Sequence, residues 1–120
     1  LLLFGYPNHK RNRFMPKESS IVSSITRKAK ASGWFVYNVH GGHGAMAGMP
    51  DLLLWRNGIA AAFEVKQPGK KPSKLQLSVI GRLQKFGGVN CQVVTTANQA
   101  MEYLDDLPND PRRRNREESP

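Results

Sequence analysis

The dipeptide Asn57–Gly58 constrains this chain more than any other feature. It separates two runs, Asp51 to Trp55 and Ile59 to Lys66, that are rich in aliphatic and aromatic residues. Both residues of the pair tolerate the positive φ of a type I′ turn, so the segment reads as a two-residue β-hairpin. A turn of that length sets the register by counting. Arg56 pairs with Ile59, Trp55 with Ala60, Leu54 with Ala61, Leu53 with Ala62 and Leu52 with Phe63. The next pair outward is Asp51 with Glu64. Opposed side chains stand about 4.5–5.5 Å apart at Cβ, where like charges destabilise. A divalent cation relieves that repulsion, and Mg²⁺ and Mn²⁺ prefer carboxylate and water oxygens. Lys66 lies two residues beyond Glu64 and therefore on the same strand face. Hydrolysis of a phosphate ester uses a metal to polarise the phosphoryl oxygen and lower the pKa of a water. A nearby ammonium orients that water or stabilises the charge of the transition state. The bland alternative is a loop acid after Pro50 and an exposed Glu64–Lys66 ion pair. The in-register placement of all three favours the site.

Charge points to a polyanionic partner. The formal net charge is +9 and the pI is near 10.1. Residues 1–101 hold fourteen Lys or Arg but only three acids, Glu18, Asp51 and Glu64. A basic body with isolated carboxylates suits nucleic acid bound around a cation, against the simpler reading of a solvated basic surface. The one cysteine, Cys91, excludes an internal disulfide framework. It fits a reducing interior, so the expected setting is the cytoplasm or nucleoid of a bacterial or phage-infected cell. No apolar run approaches the roughly 20 residues of a membrane-spanning helix, and Leu1–Phe4 is too short for a signal-peptide core.

The chain divides into a basic arm (1–15), one folded domain (16–106) and a Pro-, Arg- and Glu-rich tail (107–120) expected to be disordered. Within the domain, Val22, Ile25 and Ala29 recur at helical spacing from Glu18 to about Ser32, with Gly33 as the stop. Trp34 to Val39 reads as a strand, and His40 to Pro50 as a glycine-rich loop. After the hairpin, a basic Pro/Gly loop (67–72) leads into a helix marked by Leu75, Val79, Ile80, Leu83 and Phe86. A strand at Gln92–Thr95 and a short helix from Ala97 to about Asp105 complete the order α-β-β-β-α-β-α. That is an α/β fold with a mixed sheet flanked by helices.

Two further residues have competing readings. Glu18 shares the apolar stripe of its helix, where a carboxylate needs a partner. It also sits in the first turn, where an acid favours the helix dipole. Ser73 and Gln76 form a capping box, yet Gln76 shares a face with Ile80 and Leu83 near the end of the Glu64 strand. Lys70, Lys71 and Lys74 follow that strand and either grip phosphates or simply coat a solvated loop. His40 and His43 lack further paired ligands for zinc; phosphate contact or plain exposure suits them better, and His43 is a candidate DNA contact. Trp34, Phe35 and Tyr37 read as core, and Trp55 as ambiguous. Gly48-Met49-Pro50 does not match a Walker A loop.

Taken together, Glu18, Gly48-Met49-Pro50-Asp51, Glu64-Val65-Lys66 and Ser73-Lys74-Leu75-Gln76 resemble the VRR-NUC family, the virus-type replication-repair nucleases of the PD-(D/E)xK superfamily. The resemblance spans roughly Lys17 to Leu104. It implies a restriction-endonuclease-like core that cleaves DNA phosphodiesters with Mg²⁺ or Mn²⁺. By residue, it implies Asp51 and Glu64 as metal ligands, Glu18 as the acid completing the metal site, Lys66 as the group acting on water, and Gln76 as the motif glutamine. Compact members resemble homodimeric nucleases of branched DNA such as four-way (Holliday) junctions, and this extension to substrate is analogy. Two other functions fit the same residues: an inert basic DNA-binding module, and a sequence-specific restriction-type endonuclease of the same fold.

Overall fold

The structure, a computed structural model, describes residues 15–42 and 44–107. His43, nearly all of the basic arm and nearly all of the tail lie outside the described residues. Three helices and four strands follow the expected order: α1 (Glu18–Ala31), β1 (Phe35–Asn38), β2 (Leu52–Arg56), β3 (Ile59–Val65), α2 (Lys74–Gly87), β4 (Asn90–Val94) and α3 (Ala97–Asp106). A 3₁₀ turn, Val39–Gly41, follows β1. The strands form one mixed sheet in the order β1-β2-β3-β4. β1, β2 and β3 are antiparallel, and β4 joins β3 in parallel through the α2 crossover.

The hairpin register is the one counted from the turn, from Arg56–Ile59 to Leu52–Phe63. Asn57 (φ 50°) and Gly58 (φ 79°) both take the left-handed conformation that a type I′ turn requires. The ladder does not extend to an Asp51–Glu64 pair. The Asp51 amide donates to the Phe63 carbonyl at 2.9 Å instead. Pro50 precedes it without an N–H, so regular pairing ends there.

Alternation along β2 and β3 sorts the two sheet faces. Leu52, Leu54, Ala61, Phe63 and Val65 point to one side and form the main core with Ile21, Ile25 and Ala29 of α1 and Ala100 and Leu104 of α3. The Tyr103 ring meets Phe63 edge-on at 5.9 Å. The opposite face carries Glu64 and receives α2, of which only Val79 is buried. Leu75 and Phe86, expected on a buried stripe, are exposed because α2 packs at the β4 side and leaves the β1–β2 side open. The same reason corrects the reading of the β1 aromatics. Trp34 is core, but Phe35 and Tyr37 are 66% and 53% exposed on the uncovered face. Trp55, opposite Phe35 in the register, is exposed there too, with the two rings 5.9 Å apart.

Gly48 joins the glycine-rich loop to α2. Its φ is +88°, and an added Cβ would stand 2.8 Å from Leu75 Cγ, 2.9 Å from Val79 Cγ2 and 3.2 Å from the Leu75 carbonyl. Leu75 can swing outward, but buried Val79 and the helix backbone cannot. Gly48→Ala is therefore expected to cost roughly 2–3 kcal/mol, combining left-handed strain with overpacking, and urea unfolding should show it as a lowered midpoint.

Candidate active site

Glu64 is the centre of the site. Near the end of β3 its side chain turns to the α2 face and is only 2% exposed, the sole buried charged residue among those described. Lys66 Nζ lies 3.3 Å from Glu64 Oε2, as strand alternation predicts. Gln76 Nε2 donates to the same oxygen at 3.2 Å. Gln76 also makes the capping box: its Oε1 accepts from the Ser73 amide while Ser73 Oγ accepts from the Gln76 amide. The two readings of Gln76 are therefore compatible, because its oxygen serves the helix and its nitrogen serves Glu64. The second carboxylate oxygen, Glu64 Oε1, is buried without a hydrogen-bond partner. Burial, reinforced by the negative charge of Asp51, pushes the Glu64 carboxyl up to about 7, against the opposing pull of Lys66.

Asp51 reaches the same place from the start of β2. Its Oδ2 accepts the Val65 amide at 2.7 Å, so the carboxylate takes the position a ladder carbonyl would have held. His40 Nε2 stands 3.5 Å from Asp51 Oδ1. Burial raises the Asp51 carboxyl above its ordinary value, while the Val65 amide, His40 and Lys66 hold it down. Glu18 approaches from the first turn of α1, and its Oε2 accepts the Gln67 amide at 3.1 Å, just beyond Lys66. The structure thus gives Glu18 a partner at the end of the sheet. With Ser19, Val22, Ser23, Asn38, His40 and Asp51 it lines a cleft of about 340 Å³.

The donor set suits a hard divalent cation. Both groups are carboxylates, Glu64 Oε1 lacks any protein donor, and the charge of Asp51 disfavours ionisation of Glu64. Among the described residues, no three His, Cys, Asp or Glu side chains converge closely enough to hold a metal on their own. Asp51 and Glu64 are the two carboxylates that could meet such a cation, with water making up the rest of the shell. Cys91 is buried and its thiol is pushed up to about 11, so it is a poor ligand.

The glutamate–lysine pair, the aspartate at the adjoining strand and the glutamine on the following helix form one connected cluster. The VRR-NUC domain family model matches residues 6–98. The chain belongs to the VRR-NUC family. A solved VRR-NUC domain structure shares 27% identity with a TM-score of 0.60, covering 73% of this chain and 94% of that one. No curated protein matches the chain. The VRR-NUC domain is a nuclease of the PD-(D/E)xK type.

Lys70, Lys71 and Lys74 of this VRR-NUC domain are exposed on the β3–α2 connection beside the cluster. The sequence offers His40 zinc, phosphate contact or plain exposure, and none of these places it on Asp51. That contact depends on the 3₁₀ turn, for which Asn38 is the local signal. Asn38 Oδ1 accepts the His40 amide and caps that turn. Among the described residues, no helix is long and apolar enough to cross a membrane.

Proposed function

We propose that this VRR-NUC domain is a metal-dependent, structure-specific DNA endonuclease that acts as a homodimer on branched DNA such as four-way junctions. The observation that carries the reading is the buried, unpaired Glu64 Oε1 in a carboxylate already bound by Lys66 and facing the charge of Asp51. Buried polar oxygens without partners are rare and mark an absent ligand or water. Asp51 and Glu64 would hold Mg²⁺ or Mn²⁺, with Glu18 closing the site from the helix side. The bound cation would polarise the scissile phosphate and acidify a water. Lys66 directs its ammonium at the attacking water and the charge gathering on the phosphoryl oxygens. Gln76 keeps the Glu64 carboxylate aimed by donating to Oε2. Lys70, Lys71 and Lys74 hold flanking phosphates as point charges, and His43 supplies a further contact.

The exposed Phe35, Tyr37 and Trp55 support the homodimer. Two copies of a chain with net charge +9 can approach only where like charge is sparse. Arg56, next to Trp55 in the strand, is turned away from this face, its guanidinium over the Trp34 ring and bonded to the Ser32 carbonyl. A two-fold dimer also presents two sites, as paired cuts across a symmetric branch require.

The test incubates the intact chain with four-way junction, flap, linear duplex and single-stranded DNA in Mg²⁺, Mn²⁺ or EDTA. Junction cleavage that requires metal is expected. Site-specific cutting of linear duplex would establish the restriction-type alternative instead, and binding without cleavage in any metal would establish the inert module. Sedimentation of the free protein is expected to show a dimer that Trp55→Glu converts to monomer.

A further inference from the structure

We propose that His40 is a positioning residue that presents Asp51 Oδ1 to the metal. The proposal rests on the reading of Asp51 as a metal ligand. Each Asp51 oxygen has a separate fate. Oδ2 is held by the Val65 amide at 2.7 Å, which leaves Oδ1 as the oxygen free to meet a cation. Among the described residues, the side chain found at Oδ1 is the His40 imidazole, with Nε2 at 3.5 Å. The same Nε2 lies 3.3 Å from the Met49 carbonyl. Carbonyl and carboxylate are both acceptors, so Nε2 carries a proton, donated to the Met49 carbonyl with the Asp51 carboxylate alongside. A protonated ring nitrogen has no lone pair for a metal, which excludes His40 as a ligand through that atom.

The surroundings hold the imidazole in this role. The Asn38 side chain accepts the His40 amide at 3.1 Å, and the Val39 amide donates to the Asp51 carbonyl at 3.0 Å. The 3₁₀ turn is thereby tied to the backbone of Asp51, and His40 ties it to the side chain. Through Met49 the ring also anchors the exit of the glycine-rich loop, next to Pro50 and Asp51. A carboxylate pinned on one oxygen alone still rocks about its Cβ–Cγ bond. The His40 contact narrows that motion before the cation arrives. Residues that orient a metal ligand in this way typically contribute 10–100-fold in metal affinity.

The deciding measurement is Mn²⁺ binding by isothermal titration calorimetry of the intact chain without DNA, beside the Mn²⁺ concentration that gives half-maximal cleavage. Wild type, His40→Ala, His40→Gln and Asp51→Ala are compared. A glutamine amide places its nitrogen near the position of Nε2 and can donate to the same two oxygens. His40→Ala is expected to weaken Mn²⁺ binding roughly 10–100-fold and to raise the half-maximal metal concentration in parallel. Its cleavage rate in saturating Mn²⁺ should stay close to wild type, and His40→Gln should recover most of the affinity. If Asp51→Ala loses Mn²⁺ while His40→Ala keeps wild-type affinity, the positioning role falls and the ligand reading stands. A glutamine variant as weak as alanine also overturns it, since amide donation would then not be the function. If Asp51→Ala binds Mn²⁺ as wild type does, the ligand reading fails and the proposal with it.

Discussion

Alanine at Asp51 or at Lys66 is expected to abolish DNA cleavage, by at least about 10²–10³-fold, the usual cost of removing one charge-stabilising group from an active site. The two variants should fail differently. Asp51→Ala removes a metal contact and relieves the like charge beside Glu64, so Glu64 titrates closer to its ordinary value and Mn²⁺ binds poorly. Lys66→Ala leaves both carboxylates but removes the ammonium 3.3 Å from Glu64 Oε2. The Glu64 carboxyl should then rise still further, because Lys66 is the group that holds it down. Excess Mn²⁺ at alkaline pH should restore metal binding to Lys66→Ala without restoring cleavage. DNA binding should persist in both. Gel shifts in EDTA measure it, and one lysine among the eighteen Lys and Arg of the chain is a small share of the attraction to phosphate. Cleavage by Asp51→Ala at the wild-type rate would remove the basis of the proposed function.

The second large effect is on stability and has the opposite sign to its effect on activity. Folding raises the Glu64 carboxyl from 4.5 to about 7, so the folded, metal-free protein holds this proton more tightly than the unfolded chain does. The stabilisation from that proton is complete below the unfolded value and disappears as pH rises through about 7. Above that point the fold carries a buried anion at a cost of about 3 kcal/mol, at 1.36 kcal/mol per pKa unit. Glu64→Gln removes the charge. It should match wild type near pH 5 and exceed it at pH 8.5, with a Tm increase on the order of 10 °C for a domain of this size. Millimolar Mn²⁺ should reverse the order at pH 8.5, stabilising wild type and leaving the glutamine variant unmoved. The more stable variant should not cleave DNA. Thermal melts at both pH values, with and without metal, check each part. A wild-type Tm that is flat from pH 5 to 8.5 in EDTA would contradict the burial argument.

Much of this follows from short-range pattern. The Asn57–Gly58 turn set five pairs of the β2–β3 ladder, and strand alternation then put Glu64 and Lys66 on one face. The capping box at Ser73 and the stripe through Ile25 and Ala29 located two helices within a residue or so of their ends. These signals are local, because turn type, periodicity and caps depend on residues a few positions apart. The motif order Glu18, Pro50-Asp51, Glu64-Val65-Lys66 and Gln76 was likewise readable as VRR-NUC.

What a side chain meets across the fold was decided only by tertiary structure. Counting placed Asp51 opposite Glu64, but the ladder ends at Leu52, and the Asp51 carboxylate bonds the Val65 amide in place of a strand partner. Phe35 and Tyr37 carry the composition of core residues, yet α2 covers the far side of that face and leaves them exposed. Spacing left Glu18 divided between helix dipole and site, and the 49-residue separation from Gln67 closed only in the folded chain. Gln76 had one side chain and two assignments until folding gave each of its amide atoms a partner. His40 meets Asp51 only through the turn that swings it there. The candidate site residues were legible because motif spacing is linear. Their burial, partners and charge were not, because these depend on which elements become neighbours, and packing of the whole chain sets that.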